Sequence, residues 1–362
     1  MKKRVAILGA TGSIGKSALD VISGDAGNFE IVLLSACTNK KALEQLKDKW
    51  PSAYCVLCGS DKKKLPVAIK NVQPDITING ISGSAGLEPS LAAIEAGSTL
   101  ALANKETIVM AGELVLKTAK EKNVNIIPVD SEHSAVFNLI KAQSNDAVSE
   151  IILTASGGPF RKSSLQEMEN ASVKDALAHP TWNMGQKITI DSASMANKGL
   201  EIIEACYLFN MPPEKIKVVI HPQSIVHGMV RLSNGAVYAQ LSKPDMRHPI
   251  AGALYWPETA PLIPGLLNFD FLTLEFEKPD TQKFPMLSLA VLAAKKGGLY
   301  TCAFNAANEI AVSLFLEQKI KFTDIWRITD RVLQADWAAD SPDLETIIEA
   351  DAKARETTKK AI

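Results

Sequence analysis

The sequence is poor in cysteine, and the spacing of its five cysteines does not indicate a disulfide framework. An odd number of scattered thiols argues against a disulfide-stapled secreted domain. One close pair occurs, in CVLC at 55–58, but neither a second pair nor a histidine lies near it, so the sequence does not indicate a zinc or redox site. We expect ordinary buried thiols and assign them no chemistry.

The chain also lacks a charge excess and long apolar runs. A net charge of −1 and a pI near 6.5 argue against the concentrated basic surface that a nucleic acid or an anionic membrane requires. The apolar runs end well before membrane-spanning length, and the first strand begins within a few residues of Met1, so we expect no signal or transit peptide. A cytoplasmic protein is expected, and its 362 residues suffice for two or three cores.

What the sequence does contain is a glycine turn close to its start. In LGATGSIG, Gly9, Gly12 and Gly15 recur at every third residue, whereas the first two glycines of the usual dinucleotide fingerprint are two apart. RVAILG before the turn predicts a buried strand, and SIGKSALDVISG after it has helical spacing and ends at Gly24. This order favours a pyrophosphate at the helix N-terminus. A glycine-rich turn without a ligand is the alternative.

The second strand, EIVLLSA, indicates which dinucleotide would bind. An NAD site usually has an acidic residue about 20 residues further on, which binds the ribose 2′-hydroxyl. Here the strand leads into CTNKK, which has two lysines and no acid. We therefore expect NADP, with its 2′-phosphate near Thr38, Asn39 and Lys40 or Lys41. Two lysines at a helix start are also typical of ordinary solvated surface.

Three regions differ in their hydrophobic pattern. Alternating strands and helices up to about residue 130 predict a Rossmann-like, doubly wound parallel sheet of the α/β class. The following strands predict a second sheet with antiparallel pairs in an α+β catalytic domain, and helical periodicity from Pro285 onward predicts a C-terminal α-helical bundle. We divide the chain into an NADP-binding domain (1–130), a catalytic, metal- and substrate-binding domain (131–255), a linker (256–283) and a helical domain (284–362).

Histidines and carboxylates in the middle of the chain indicate where chemistry takes place. All five histidines lie there, at positions His133, His179, His221, His227 and His248. Asp130 and Glu132, in VDSEH, are two apart, so in an extended segment they project to the same side and can bind one hard cation. A third carboxylate would come from Glu201 or Glu204, on the amphipathic helix predicted in DSASMANKGLEIIEA.

Two groups of donors favour anion binding. One combines hydroxyl, amide and ammonium groups suited to a phosphate and consists of Ser192, Ser194, Asn197 and Lys198. The other is a backbone nest expected at a strand end, in TASGGPFR, and consists of Ser156, Gly157 and Gly158. Together with the carboxylates they indicate a phosphorylated substrate held beside a divalent metal.

Eight stretches follow one another along the chain: GATGSIG, LANKE, VDSEHSA, SGGPF, HPTWNMGQKITIDSASMANKGLE, HPQSIVH, PDMRHPI and NAANEIAV. In this order they resemble the 1-deoxy-D-xylulose 5-phosphate reductoisomerase family, from Lys3 into the C-terminal helices. The combination of VDSEH with DSASMANKGLE is highly specific.

The resemblance implies an activity and its cofactors. Members of this family use NADPH and a divalent cation, Mg²⁺ or Mn²⁺, with Co²⁺ as a further candidate. They rearrange the carbon skeleton of 1-deoxy-D-xylulose 5-phosphate and then reduce the resulting aldehyde, which gives 2-C-methyl-D-erythritol 4-phosphate in the non-mevalonate isoprenoid pathway. The resemblance also implies a homodimer.

The resemblance further implies roles for single residues. The metal ligands would be Asp130, Glu132 and Glu201, which decides against Glu204. The catalytic residues would be Lys105, Glu132, His179 and Glu201. The substrate would contact Lys105, Ser131, Glu132, Ser156, His179, Trp182, Ser192, Asn197, Lys198 and Glu201, with its phosphate at Ser156, Ser192, Asn197 and Lys198. His179 and Trp182 would belong to a lid, residues 178–187, that closes over the substrate.

The cofactor contacts implied in the same way lie in five places along the chain. They are Thr11, Gly12, Ser13, Ile14, Cys37, Asn39, Asn104, Lys105, Glu106, Met184, Gly185 and Met246, of which Met184 and Met246 would line the nicotinamide pocket. Many relatives have a glycine, then a basic or small residue, then asparagine after the second strand. Asn39 keeps that pattern, whereas Cys37 departs from it.

Two other functions compete with this one. A plain NADP-dependent dehydrogenase of the semialdehyde or homoserine type would share the glycine turn and a two-domain plan but would need no set of three metal-binding carboxylates. An NADP-sensing binding module would need the glycine turn but neither VDSEH nor HPTWNMG, so the presence of those stretches counts against it.

Overall fold

The structure is a computed structural model that describes residues 1–59, 61, 63–143, 147–182, 184–263 and 265–361. The chain forms two compact units. The first unit comprises Met1–Thr107, Val115–Ser134 and Asp245–Gly265, and the second comprises Ile108–Leu114, Ala135–Pro244 and Leu266–Ile362.

A six-stranded parallel sheet forms the centre of the first unit. Its strands are β1 (Lys3–Leu8), β2 (Phe29–Ala36), β3 (Tyr54–Leu57), β4 (Ile76–Asn79), β5 (Thr99–Leu102) and β6 (Ile126–Pro128). They lie in the order β3-β2-β1-β4-β5-β6, so the direction of winding reverses between β1 and β4. The predicted Rossmann-like, doubly wound sheet is confirmed. Open sheets of this kind bind ligands at the carboxyl ends of the strands, beside such a reversal.

The helices α1 (Ser13–Gly24), α2 (Lys40–Lys49), α3 (Lys64–Val72), α4 (Leu87–Glu95), α5 (Lys105–Glu121) and, much later, α11 (Arg247–Tyr255) belong wholly or mostly to the first unit, whereas α6 (Ser131–Gln143) begins there and continues in the second. Several begin at a side chain that caps the free backbone N–H groups of the first turn. Asn39 accepts from the Ala42 N–H at 3.1 Å, and Asn104 accepts from the Thr107 N–H at 3.0 Å. These caps fix where α2 and α5 begin, directly after two strand ends.

The glycine turn is a close contact between backbones. Gly9 has a positive φ of 76°, and a Cβ there would lie 2.9 Å from the carbonyl oxygen of Gly80, which follows β4. A Cβ on Gly15 would lie 2.5 Å from the Cα of Ala10. Only glycine fits at either position, so the unusual spacing of three serves the packing of α1 against the turn.

A four-stranded mixed sheet lies in the second unit. Its strands are β7 (Val148–Ala155), β8 (Ile216–Ile220), β9 (Val226–Leu232) and β10 (Val237–Leu241), in the order β10-β9-β7-β8. β7 and β8 are parallel, whereas β9 is antiparallel to both of its neighbours. The predicted second sheet with antiparallel pairs is confirmed.

Helices make up the rest of the second unit. Between β7 and β8 come α7 (Leu165–Glu169), α8 (Val173–Ala176), α9 (Gln186–Ala193) and α10 (Ala196–Leu208). The predicted C-terminal helical region is confirmed as α12 (Met286–Lys296), α13 (Tyr300–Leu316), α14 (Asp324–Leu333) and α15 (Leu344–Lys360). Among the residues that the structure describes, no helix is both long and apolar enough to cross a membrane.

The prediction that α10 is amphipathic is wrong. Every residue from Lys198 to Ala205 is buried, including both glutamates. Helix α12 packs so closely along it that a Cβ on Gly199 would lie 2.9 Å from the Cβ of Ala290. A helix covered on all sides holds its polar side chains inside the protein, where each needs a partner.

The cysteines are less buried than expected. Cys302 is buried, Cys55 and Cys58 are half-buried, and Cys37 is exposed. All five are free thiols. Partial burial raises the pKa of the Cys55 and Cys58 thiols, which favours the unreactive protonated form.

Replacing Gly15 with alanine tests the close packing of the glycine turn. We expect Gly15→Ala to lower the free energy of unfolding by about 2 kcal/mol, because the new methyl group has to displace backbone atoms of the turn. Gly24→Ala is the matched control, since a Cβ at this last residue of α1 meets nothing within 4 Å. Urea unfolding measures both, and equal stabilities would contradict the packing described.

Candidate functional site

The N-terminus of α1 offers an anion site at the carboxyl end of β1. Gly12 precedes the helix and brings no side chain to cap it, and Thr11 and Ser13 stand at the surface with at least part of their area exposed. The side chain of Ile14 packs against Gly80, the residue after β4, since a Cβ on Gly80 would lie 3.0 Å from it. The first turn of α1 therefore has no side-chain cap at its N-terminus, where N–H groups and the helix dipole favour an anion.

The residues after β2 are accessible to a second anionic group. Cys37, Thr38, Asn39, Lys40 and Lys41 are all exposed, and the first turn of α2 carries no acidic residue. The amide oxygen of Asn39 is used as the helix cap, which leaves its Nδ2 donor directed elsewhere. This environment suits a phosphate better than a hydroxyl that requires an acceptor.

Two buried asparagines fix the loop that follows β4. Asn104 donates to the carbonyl oxygens of Ile81 and Gly83, at 2.8 and 2.9 Å, and to Glu106. Asn79 donates to the Gly86 carbonyl oxygen at 2.9 Å. Sequence reasoning missed Asn79, although an asparagine that ends an apolar strand was a usable signal. The loop opposite the glycine turn is thus set by side-chain amides.

Lys105 and Asp130 form a buried ion pair in the first unit. Lys105 opens α5 and is 5% exposed, and its Nζ contacts the Asp130 carboxylate, which follows β6. Ser131 donates to the Glu132 carboxylate at 2.5 Å. One ligand oxygen of Asp130 and one of Glu132 lie within 4.8 Å of each other. Two carboxylates and an ammonium group are concentrated where a parallel sheet binds its ligands.

The expectation that Asp130 and Glu132 lie in an extended segment is wrong. Helix α6 begins at Ser131, and the Asp130 carbonyl oxygen already accepts from the Ser134 N–H at 2.8 Å. Asp130 is therefore the residue before the helix, and Glu132 lies in the first turn. Acidic residues are stabilised there by the helix dipole, which explains the acidic composition. The two carboxylates come together through the helix start rather than through strand alternation.

Glu201 is completely buried in the second unit. Its carboxylate contacts Lys198 Nζ, three residues earlier on α10, and accepts from Asn197 Nδ2 at 2.5 Å. Asn197 and Lys198 lie in the first turn of this helix. The Glu201 carboxylate is therefore held in place by two donors.

His179 joins the two serines of the expected phosphate site. Its Nε2 lies 3.1 Å from Ser156 Oγ and 3.1 Å from Ser192 Oγ. Its Nδ1 accepts from the backbone N–H groups of Thr181 and Trp182, at 3.1 and 2.9 Å, so the ring proton belongs on Nε2. Burial lowers the pKa of His179 and favours this neutral form. The single Nε2 hydrogen is shared between the two oxygens, and a protonated Nε2 cannot accept, so neither serine hydroxyl donates to this nitrogen.

The glycines beside Ser156 make room for that anion site. Gly157 and Gly158 both have positive φ, 85° and 64°, and the Gly158 N–H donates to Ser156 Oγ at 3.3 Å. A Cβ on Gly158 would lie 2.8 Å from the Ser192 carbonyl oxygen. Glycine is therefore required for β7 and α9 to approach one another at this point.

The expected lid is only partly irregular. Trp182 and Met184 are half-buried, Gly185 caps α9, and the last two residues of the stretch, Gln186 and Lys187, are helical. Asn183 lies outside the described residues. Met246, the other methionine expected at the nicotinamide, precedes α11 in the first unit and is half-buried.

The concentration of histidines has a structural component that the sequence did not reveal. His221 is fully buried, its Nε2 accepts from the N–H groups of Ile225 and Val226, and its Nδ1 donates to the Glu275 carbonyl oxygen at 2.8 Å. His227 lies 2.9 Å from Ser242 Oγ. Both rings hold loops together, whereas His179 contacts Ser156 and Ser192, two of the residues predicted to bind phosphate.

Comparison with known proteins shows which family the chain resembles along its length. The family model for 1-deoxy-D-xylulose 5-phosphate reductoisomerase matches residues 5–71 and 55–112, that for its C-terminal domain matches 126–209, and a further model, DXP reductoisomerase C-terminal domain, matches 241–357. Curated relatives with this name include those of Pelodictyon phaeoclathratiforme, 47% identical over 99% of this chain and 100% of the relative, and Treponema denticola, 46% identical over 98% and 96%.

Solved structures show the same likeness in three dimensions. The Zymomonas mobilis reductoisomerase in complex with NADPH superposes with a TM-score of 0.91 at 39% identity and covers 99% of both chains. A DOX-P reductoisomerase in complex with NADPH, fosmidomycin and magnesium gives 0.90 at 39% identity, over 99% of this chain and 98% of the other. The expected enzyme, an NADP-dependent oxidoreductase, is confirmed, and the chain belongs to the 1-deoxy-D-xylulose 5-phosphate reductoisomerase family.

Proposed function

We propose that this chain performs the reaction for which its family is named, the NADPH- and divalent-metal-dependent conversion of 1-deoxy-D-xylulose 5-phosphate to 2-C-methyl-D-erythritol 4-phosphate on the isoprenoid pathway. The observation that carries the proposal is the carboxylate pair Asp130 and Glu132, which lies next to Lys105 at the ligand-binding end of the parallel sheet. A plain dehydrogenase needs no such pair, because hydride transfer alone requires no metal.

The donors suit Mg²⁺, and Mn²⁺ and Co²⁺ are further candidates. We propose Asp130, Glu132 and Glu201 as the ligands, all of which offer carboxylate oxygen, the ligand type that hard cations prefer. The complete burial of Glu201 fits this role, since a buried carboxylate is costly unless cations surround it. When bound, the cation supplies Lewis-acid stabilisation of oxygen atoms that become negative as carbon bonds break and form. Ser131, bonded to Glu132, lies at the edge of that site.

The phosphate of the substrate binds at the serines that share His179. Ser156 and Ser192 donate their hydroxyl hydrogens, and Asn197 and Lys198 add an amide and a positive charge. Contacts far from the reacting carbons lend orientation to them. His179 acts here as a neutral donor that aligns both hydroxyls.

The first unit binds NADPH. The pyrophosphate lies at Thr11, Gly12, Ser13 and Ile14, and the 2′-phosphate lies at Cys37 and Asn39 with Thr38, Lys40 and Lys41 nearby, which the exposed and acid-free start of α2 supports. Asn104, Lys105 and Glu106 lie at the start of α5, and Lys105 reaches the substrate or the nicotinamide. Met184, Gly185 and Met246 enclose the nicotinamide.

The lid, residues 178–187, excludes water from the bound substrate. His179 and Trp182 are linked by the Trp182 N–H···Nδ1 bond, so the indole moves with the histidine that contacts the phosphate site. A flat indole over the substrate buries apolar area and keeps water from the intermediate aldehyde before hydride arrives. The catalytic set is then Lys105, Glu132, His179 and Glu201.

The assembly and location rest on the resemblance and on the sequence. We propose a homodimer in the cytoplasm, with no nucleic-acid or membrane partner. We also keep as a proposal the division into an NADP-binding domain (1–130), a catalytic domain (131–255), a linker (256–283) and a helical domain (284–362).

The function is tested by following NADPH oxidation at 340 nm. With 1-deoxy-D-xylulose 5-phosphate and Mg²⁺, we expect absorbance loss that stops when either is omitted. NADPH should give at least about tenfold higher kcat/KM than NADH, because a charge-assisted contact to the 2′-phosphate contributes about 1.5 kcal/mol or more. No substrate-dependent oxidation would contradict the reaction, and equal use of both cofactors would contradict the 2′-phosphate site.

Glu201→Gln tests the metal site. The change keeps the shape but removes a charged oxygen ligand, so kcat/KM should fall about 100-fold or more, while NADPH affinity stays within twofold. Mn²⁺ binding, followed by electron paramagnetic resonance, should weaken in parallel. Glu349→Gln, the same change at an exposed position on α15, is the control. A variant with native Mn²⁺ affinity would remove Glu201 from the ligand set.

Ser156→Ala tests the phosphate site. Loss of one hydrogen bond to a charged group should raise KM about tenfold and leave kcat within about threefold, because this contact is largely the same in the ground and transition states. Ser149→Ala, at the other end of β7, also removes a hydrogen bond, to the Arg231 carbonyl oxygen, and is the matched control. An unchanged KM for Ser156→Ala would place the phosphate elsewhere. Lys198→Ala is a less clean test, since it also deprives Glu201 of its cation.

A further inference from the structure

A further buried carboxylate lies next to the proposed phosphate-site residues and has no part in the site described. Asp191, on α9, is 1% exposed. Its Oδ2 lies 2.8 Å from Lys187 Nζ, one turn earlier on the same helix. Its Oδ1 accepts from Asn308 Nδ2 at 2.8 Å, and Asn308 is a fully buried residue of α13. The carboxylate thus ties a short helix to the C-terminal helices.

Helix α9, which Asp191 connects to α13, also carries Ser192 of the proposed phosphate site. It has eight residues, too few to be stable without tertiary contacts. Ser192, whose hydroxyl lies 3.1 Å from His179 Nε2, directly follows Asp191. Ser194, which lies between α9 and α10, donates its hydroxyl hydrogen to the Asp191 carbonyl oxygen at 3.3 Å. A rotation of α9 about its axis would move the Ser192 hydroxyl away from His179.

The amide of Asn308 is fixed in one orientation by the carboxylate. Because Asp191 can only accept, Nδ2 must face it, and Oδ1 of Asn308 then has no hydrogen-bond partner within the described part of the chain. A buried carbonyl without a partner costs free energy that an apolar side chain of similar size would avoid. An asparagine at this position is therefore explained by the donor it supplies to Asp191, since packing alone would favour leucine.

We propose that Asn308 is a positioning residue for the substrate phosphate: by donating to Asp191 it fixes the rotation of α9 and, with it, the Ser192 hydroxyl beside His179. The proposal rests on the function proposed above. It extends the phosphate site into α13, whose residues touch neither substrate nor cofactor in that proposal. Defects at Asn308 should therefore appear in substrate binding and leave cofactor binding unaffected.

Asn308→Leu and Asn305→Leu form a matched pair for the test. Asn305 lies one turn away on α13, is equally buried, and also has an Oδ1 without a partner among the described residues, but its Nδ2 donates to Glu309 at 3.1 Å rather than to α9. We expect Asn308→Leu to raise KM for 1-deoxy-D-xylulose 5-phosphate about tenfold, with kcat within threefold and the NADPH Kd within twofold of the unaltered enzyme. Asn305→Leu should leave KM unchanged.

An unchanged KM in Asn308→Leu would overturn the proposal, and so would an equal rise in Asn305→Leu, which would indicate general damage to α13. If Asn308→Leu does not fold, Asn308→Ser is measured instead, because its hydroxyl is too short to reach Asp191, and the same tenfold rise is required. These tests require that the unaltered protein converts 1-deoxy-D-xylulose 5-phosphate. If the unaltered protein is inactive, the proposed function is contradicted, and the positioning role of Asn308 is tested by a separate measurement.

Amide hydrogen exchange supplies that measurement. In Asn308→Leu the backbone amides of α9 should exchange at least fivefold faster than in the unaltered protein, whereas those of β1 to β6 should not change. Asn305→Leu should leave the exchange of α9 as it was. Unchanged exchange of α9 in Asn308→Leu would overturn the positioning role even in a protein without activity.

Discussion

Buried pairs of lysine and carboxylate are the interaction on which the functional residues depend. Examples among the described residues are Lys105 with Asp130, Lys198 with Glu201, and Lys187 with Asp191. In each the carboxylate is at most 13% exposed. Taking such a charge out of water is costly, and removal of one partner from a buried pair typically costs about 3–5 kcal/mol. The surrounding fold has to supply that stability, and in return the oxygens are fixed before any ligand arrives.

Fixed polar groups recur throughout the candidate site. The neutral ring of His179 aligns two serine hydroxyls, two backbone N–H groups select its tautomer, and buried asparagine amides set the loop after β4. Donors that are oriented in advance need little rearrangement when a phosphate or a developing negative charge appears. The glycines contribute because they have no side chain: at Gly9 and Gly158 backbones approach one another where any Cβ would collide.

Much of the architecture could be predicted because its signals are local. Each strand of the first sheet is a short apolar run bounded by polar turns, and each C-terminal helix shows a 3.6-residue period, so the element types followed from spacing. The two errors near the site have one cause. Whether VDSEH is extended or helical, and whether α10 faces water, depends on what packs against these segments. That Asp130 precedes α6 and that α12 lies alongside α10 are both features of the tertiary structure.

The sequence by itself determined the family, the glycine turn and the residue types of the site, because these lie in contiguous stretches such as GATGSIG, VDSEH and DSASMANKGLE. Only the tertiary structure decided which side chains are partners. It placed His179 between two serines 23 and 13 residues away, and it brought Asn308 to Asp191 across 117 residues of chain. The physical reason is that a hydrogen bond requires heavy atoms about 3 Å apart, a condition set by the packing of whole helices that no local pattern encodes.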